Sequence, residues 1–281
     1  MKNVILKNGF LFVATTILFT SCQHEGIEVA TPTVSEDFQV EEAYPNQKGD
    51  WDKANFLGQE VDYQTINGEK IMDGDIIIDP SQIDNGLRTE GTYRTAASSR
   101  WTGKKVYYKI DPALADQARV TNAIASWEAN TSLDFVVRTN QTNYITFRTG
   151  TGCSSSVGKV GGQQFINLAA GCSTGNTIHE IGHAVGLWHE QTRKDRDTYI
   201  TVNFANITAG AENNFKTYVA TGNDGNETSG GLDFGSIMMY GSTFFSSNGL
   251  PTIVKKDGSS FTVQRDGLSV KDKAAISIMY P

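Results

Sequence analysis

The chain has 281 residues, of which 38% are hydrophobic, and this is enough for one large or two small domains with a substantial core. Its formal charge of −7 excludes a nucleic-acid partner, because binding to phosphates requires clustered Lys and Arg that the sequence lacks.

The first 21 residues have the features of an export signal. Lys2 and Lys7 precede an apolar run over residues 9–19, which is too short to span a membrane stably. Cys22 follows in the string FTSC, which resembles a loose bacterial lipoprotein box whose cysteine carries a lipid anchor. Alternatively, Cys22 is removed with the signal. The sequence therefore predicts an exported bacterial protein that is either secreted or held at the outer surface as a lipoprotein.

Residues 22–94 differ from the rest of the chain. They are acidic and show only scattered periodicity, which indicates an accessory segment or pro-segment. The pattern becomes regular from Trp101: residues 105–110, 133–137 and 144–147 read as strands, and residues 112–129 have helical spacing. We therefore predict an α+β domain over residues 95–281 with a twisted sheet.

Cys153 and Cys172 lie nineteen positions apart, on either side of a glycine-rich stretch. A disulfide between them would close a loop whose stabilisation is on the order of 3 kcal/mol. The competing interpretation is a pair of metal ligands, but no second Cys or His cluster has the spacing of a zinc finger. We favour the disulfide, which leaves Cys22 as the odd thiol.

Residues 179–190 read HEIGHAVGLWHE and contain three of the four histidines. In a helix, His179 and His183 lie about 40° apart around the axis, so both can bind one metal ion. A continuous helix would place His189 about 15 Å along the axis from His179 and on another face. Gly186 allows the helix to end before that point. Three imidazoles with one open coordination position are typical of a catalytic zinc site.

Glu180 follows the first histidine directly, so it points near the metal without being a ligand. Its carboxylate can take a proton from a zinc-activated water and then deliver that proton to the leaving amine. The short pattern H-E-x-x-H also occurs by chance in surface helices. Gly186 and His189 at the required offsets favour the catalytic interpretation.

The motif over residues 179–190, the following QTRKDRD and the later SIMMYG over residues 236–241 together resemble the astacin family of metzincin zinc peptidases. A glutamate directly after the third histidine is the astacin variant. The resemblance covers roughly residues 100–281. It implies a metzincin-type domain with a mixed sheet, an active-site helix and a C-terminal helix, split by a zinc cleft.

The resemblance also implies roles for individual residues. Met238 would form the apolar Met-turn under the imidazoles, and Tyr240 would bind the metal at rest and stabilise the oxyanion during turnover. The strand Tyr144-Ile145-Thr146-Phe147 would be the cleft edge to which an extended substrate adds. Glu190 would pair with the amino terminus of the mature enzyme. The family's second disulfide is missing, so the final helix would be held by packing alone.

The resemblance gives the early segment a purpose, which is to block the open metal position. Asp75, in MDGDI, is the predicted blocking ligand, and Cys22 is the alternative because a thiolate also suits zinc. The activating protease would cut after Arg94, with Arg88 as second choice. The predicted function is an exported zinc endopeptidase that cleaves protein or peptide substrates. The alternatives are a zinc-containing surface protein that only binds, and an amidase with the same metal site.

Overall fold

Strands from the early part of the chain and from its middle join in one sheet. The structure is a computed structural model that describes residues 41–56, 59–83, 93–94, 96–223 and 225–281, so the predicted signal, Cys22 and Arg88 lie outside the described residues. The strands are β1 (Asp50–Phe56), β2 (Gln59–Ile66), β3 (Glu69–Met72), β4 (Ile76–Ile77), β5 (Lys105–Ile110), β6 (Asp134–Val137), β7 (Tyr144–Thr149), β8 (Ser154–Ser155), β9 (Gln163–Leu168), β10 (Ile200–Val202) and β11 (Ile253–Lys255). Nine of them form a sheet in the order β1-β2-β3-β4-β8-β9-β7-β5-β6, and β10 pairs with β11.

The first four strands belong to residues 41–83, which we call the amino-terminal segment. Strands β1, β2 and β3 are antiparallel, and the turn Asn67-Gly68 between β2 and β3 has positive φ at both residues, as tight hairpins require. Strand β4 then pairs in parallel with β8 through Ile76 and Ser155. The signal for β2 was present in the sequence, because the buried Val61 and Tyr63 alternate with polar residues.

The predicted cleft-edge role of Tyr144-Ile145-Thr146-Phe147 is wrong. Strand β7 lies between β5 and β9 and is parallel to both. All four residues are buried, as expected for an interior strand of a parallel sheet that is covered on both faces. Strand β8 lies between β9 and β4, and it is the strand through which the rest of the sheet contacts the amino-terminal segment.

Among the described residues, three α-helices complete the α+β fold: α1 (Ala118–Asn130), α2 (Thr174–Val185) and α3 (Val270–Met279). Helix α1 begins six residues later than predicted, after a turn in which the amide of Ala113 donates to the side chain of Asp111. Trp127 of α1 is buried and donates from Nε1 to the carbonyl of Ile178 in α2 at 3.1 Å. Within the described part of the chain, no helix is long and apolar enough to cross a membrane.

The predicted disulfide between Cys153 and Cys172 is present. It connects the residue before β8 to the residue before Ser173, the N-cap of α2. The bridge therefore ties strand β8 to the start of the helix that carries the first two histidines.

Candidate metal centre

Helix α2 begins at a capping box and ends at a left-handed glycine. The Ser173 side chain accepts a hydrogen bond from the Asn176 amide at 3.1 Å, and the Asn176 side chain accepts one from the Ser173 amide at 2.8 Å. At the other end Gly186 has φ +112°, and its amide donates to the carbonyls of Gly182 and His183. This left-handed residue ends the helix where the sequence predicts, and it lets the chain return to the metal site.

The structure brings the three predicted histidines together. The Nε2 atoms of His183 and His189 lie 3.2 Å apart, and the rings of His179 and His183 have centroids 4.8 Å apart. All three side chains are buried. One ligand atom from each of them, together with one from Asp75, lies within 4.8 Å of the others.

Backbone carbonyls fix the orientation of two of the imidazoles. Nδ1 of His179 lies 2.8 Å from the carbonyl oxygen of Ile237, and Nδ1 of His183 lies 2.8 Å from that of Leu187. Because a carbonyl can only accept, each Nδ1 carries the hydrogen and each Nε2 presents a lone pair to the cluster. Burial lowers the pKa of His179 to about 3, which keeps this ring neutral.

Asp75 of the amino-terminal segment completes the cluster. Its Oδ2 lies 3.1 Å from Nε2 of His189 and 3.3 Å from Nε2 of His179, and its Oδ1 lies 3.6 Å from Nε2 of His183. Burial would raise the pKa of Asp75, but His189 and His183 lower it well below its usual range.

The donor set fits a cation. Neutral Nε2 atoms and carboxylate oxygens are all lone-pair donors, so this arrangement is stable only with a positive charge among them. The buried Oδ1 of Asp75 also has no hydrogen-bond partner among the described residues, as expected of a metal ligand. Three imidazoles and one carboxylate form a zinc site, and zinc is the ion that His179, His183, His189 and Asp75 would hold.

Glu180 lies in the same buried region. Its Oε2 finds no hydrogen-bond partner within the described ranges. Burial raises the pKa of the Glu180 carboxyl, and the charges of Asp75 and Glu41 raise it further. Such a carboxylate has an increased affinity for a proton, which suits a general base.

Met238 packs directly under the helix, as the Met-turn prediction requires. Its Sδ lies 2.7 Å from the position that a Cβ at Gly182 would occupy, so a larger residue there would require the Met238 side chain to move. Met238 is buried, and its carbonyl accepts a hydrogen bond from the Glu190 amide at 3.0 Å. The turn therefore contacts the histidine helix on one side and the residue after the third histidine on the other.

The hydroxyl of Tyr240 is engaged by the amino-terminal segment. It donates a hydrogen bond to the carbonyl of Asp73, and its ring lies against His189, with centroids 4.5 Å apart. The Phe244 ring stacks on the Tyr240 ring, with centroids 4.6 Å apart. Metal ligation by Tyr240 stays a prediction for the form that lacks the segment.

Glu190 is already partnered in this structure. It accepts a hydrogen bond from the Asp233 amide at 2.8 Å, and its carboxylate lies 3.6 Å from the Arg193 guanidinium. Burial raises the pKa of Glu190 to about 8. Its pairing with a new amino terminus stays a prediction.

The predicted activation residue Arg94 is buried with 2% exposure. Its amide donates to the carbonyl of Gly186 and its guanidinium to that of Val157. Tyr93 forms bridges to Leu187 and Asn226. Both residues thus pack within the described residues from 93 to 281, which we call the carboxy-terminal region, so a boundary after Arg94 falls inside that packed structure.

One ion pair near the metal was missed by sequence reasoning. Arg265 donates to both carboxylate oxygens of Glu41 at 2.7 Å, and Asn176 donates to the same carboxylate at 2.9 Å. Glu41 is buried. The two partners are 224 positions apart, and no local pattern connects them.

The mixed sheet, the histidine helix and the buried His₃–Asp cluster define an α+β metal-binding protein of the metzincin type. The chain belongs to the astacin family: the family model of the Astacin peptidases matches residues 93–281.

Named relatives agree with this assignment. Flavastacin from Elizabethkingia meningoseptica is 40% identical over 195 residues, which cover 64% of this chain and 42% of that protein. Blastula protease 10 from Paracentrotus lividus is 41% identical over 197 residues, which cover 65% of this chain and 32% of that protein. The chain thus spans less than half the length of these curated relatives. Among solved structures, the hatching enzyme zinc-protease HCE-1 from Oryzias latipes matches with a TM-score of 0.60 and 32% identity, covering 66% of this chain and 96% of that one.

Proposed function

We propose that the chain is the latent precursor of an exported zinc endopeptidase. The observation that carries the proposal is the pairing of Glu180, buried and with an unpartnered oxygen, with a His₃ cluster whose fourth position is filled by a carboxylate from the amino-terminal segment. A protein that only binds zinc has no use for a base at that position.

The proposed chemistry assigns one task to each side chain. When bound, zinc supplies Lewis acidity and lowers the pKa of a coordinated water to about 7. Glu180 takes the proton from the attacking water and delivers it to the leaving amine as the peptide bond breaks. His179 and His183 keep their orientation through the carbonyls of Ile237 and Leu187.

Tyr240 is the proposed donor to the oxyanion. Its hydroxyl already donates to a backbone carbonyl, that of Asp73, two residues from the metal-facing Asp75. A substrate carbonyl in the same place would receive this hydrogen bond once the segment is gone, and the bond would strengthen as negative charge develops on the oxygen.

Latency is assigned to Asp75 rather than Cys22. The Asp75 carboxylate fills the fourth position of the cluster, and the Asp73 carbonyl engages Tyr240. The Cys153–Cys172 disulfide supports an oxidising destination outside the cytoplasm. Anchoring through Cys22 is a separate proposal, and mass spectrometry of the mature amino terminus tests it.

We place the activating cut before Tyr93, because Tyr93 and Arg94 pack in the carboxy-terminal region. This leaves Arg88 as the predicted recognition residue. Amino-terminal sequencing of the processed Arg88→Gln and Arg94→Gln variants tests the assignment. A changed cut in Arg94→Gln alone would contradict it.

Casein digestion by the processed protein tests the function. We expect digestion to stop with a chelator, to return with zinc, and to fall by about 10²–10⁴-fold in Glu180→Gln, the range typical of a lost general base. Glu180→Gln should still bind one zinc. A processed protein that binds zinc without cleaving casein or a peptide library would favour the binding-only alternative.

A further inference from the structure

The C-terminal helix is hydrogen-bonded to the turn over residues 236–238 at its start and to helix α2 at its end. At its start, the Asp272 carboxylate accepts hydrogen bonds from the Ser236 hydroxyl at 2.6 Å and from the Ile237 amide at 2.9 Å. At its end, the Tyr280 hydroxyl donates to the carbonyl of Val185, the last residue of α2. The expectation that packing alone holds this helix is therefore wrong, because buried hydrogen bonds also fix it.

The bonds of Asp272 lead directly to a metal ligand. Asp272 holds the amide of Ile237, and the carbonyl of Ile237 accepts from Nδ1 of His179 at 2.8 Å. The Ser236 hydroxyl, which donates to Asp272, also accepts from the Met238 amide at 3.0 Å. One carboxylate thus fixes the turn that orients the first histidine and places the methionine under it.

We propose that Asp272 is a positioning residue for the metal site: it sets the affinity for zinc by holding residues 236–238 against His179. The inference rests on the proposed zinc site. A carboxylate is needed because three donors converge on it, from Ser236, Ile237 and Ser269. An amide of the same shape replaces one acceptor with a donor, which would face an N–H or O–H group.

The test compares three variants of the full-length chain. Asp272→Asn disturbs the bonds to the turn, and Ser236→Ala removes one of them. Ser269→Ala is the matched control, because it removes the helix cap given by the Ser269 hydroxyl but leaves Asp272 bonded to the turn. Zinc affinity is measured by competition with a chelator, and the visible spectrum is recorded after cobalt substitution.

We expect zinc affinity to fall by about 10- to 100-fold in Asp272→Asn, the range typical of lost partners of metal ligands, and by a smaller factor in Ser236→Ala. Ser269→Ala should bind zinc like the wild type although it melts at a lower temperature. The cobalt spectrum should shift in Asp272→Asn and stay unchanged in Ser269→Ala.

Equal zinc affinity in Asp272→Asn and Ser269→Ala, with similar losses of melting temperature, would show that Asp272 is merely structural. If Asp272→Asn does not fold, unchanged affinity in Ser236→Ala overturns the inference. A wild-type chain without zinc would contradict the proposed function itself, so the two failures are distinguishable.

Discussion

The amino-terminal segment and the carboxy-terminal region build their cores differently. The main hydrophobic core of the carboxy-terminal region consists only of residues between Tyr93 and Tyr280. The core of the segment combines its own residues, such as Phe56 and Ile76, with Trp188 and Val157 of the region. The segment therefore depends on the region for burial of its apolar face, whereas the main core of the region does not depend on the segment.

The metal site shows the same asymmetry. The rings of His179 and His183 are oriented by carbonyls of the region itself. Asp75 is held by contacts between the segment and the region, such as the hydrogen bond from the Ser155 amide to its carbonyl at 3.1 Å. Removal of the segment should take away one ligand and leave the other three in place.

The largest effect on activity should come from Asp75→Ala in the unprocessed chain. Loss of the fourth ligand should raise peptidase activity of the precursor by at least about tenfold, which corresponds to about 1.4 kcal/mol of lost blocking free energy. The Cys22→Ala precursor should show no peptidase activity. If the Cys22→Ala precursor is active and the Asp75→Ala precursor is inactive, the Cys22 thiol is the blocking ligand.

The largest effect on stability concerns the ion pair of the buried Glu41 with the partly buried Arg265. Glu41→Ala leaves the guanidinium without its carboxylate, so the free energy of unfolding of the precursor should fall by about 3–5 kcal/mol. Denaturant titration measures this loss. The matched control is Glu60→Ala, which removes an exposed partner of Lys53 and should leave stability nearly unchanged. Equal losses of unfolding free energy in Glu41→Ala and Glu60→Ala would show that the Glu41 contact stabilises the precursor no more than an exposed ion pair does.

A smaller effect is expected at Gly74, which has φ +82°. A Cβ there would lie 2.6 Å from the Phe245 ring. Gly74→Ala should weaken blocking and raise precursor activity a few-fold, and Phe245→Ala in the same chain should restore part of the latency.

Gly68→Ala is the control for this substitution. Gly68 has a similar φ of +84°, but a Cβ at this position would have no atom within 4 Å, so its replacement should not activate the precursor. If Phe245→Ala restores nothing, the close approach of the ring to Gly74 has no part in blocking.

The last effect is the pH dependence of stability that Glu190 causes. Its folded pKa of about 8 lies above the usual 4.5, because burial disfavours the charge. Its contribution to stability is therefore present below pH 4.5 and is lost as the pH rises through 8. The melting temperature of Glu190→Gln, relative to wild type, should rise between about pH 5 and pH 9. A difference in melting temperature that does not change with pH would contradict the raised pKa of Glu190.

Local signals predicted much of the site. The histidine spacing and the helix end at Gly186 are short-range patterns, and the structure confirms them. The disulfide also followed from spacing in the chain.

Long-range pairing could not be predicted in the same way. The order of parallel strands depends on crossovers between distant residues, so the interior position of β7 was mistaken for an edge. The contact of Glu41 with Arg265 and the burial of Arg94 likewise arise only from the assembled fold. Strand β2 was missed for another reason: its alternation is local, but its acidic and polar residues concealed it.

X-ray absorption at the zinc edge, combined with metal analysis of the intact chain, tests the central claim most directly. We predict one zinc per chain, bound only by nitrogen and oxygen at about 2.0–2.2 Å, with three imidazoles and one carboxylate. A sulfur ligand at about 2.3 Å, or a chain without stoichiometric zinc, would contradict it.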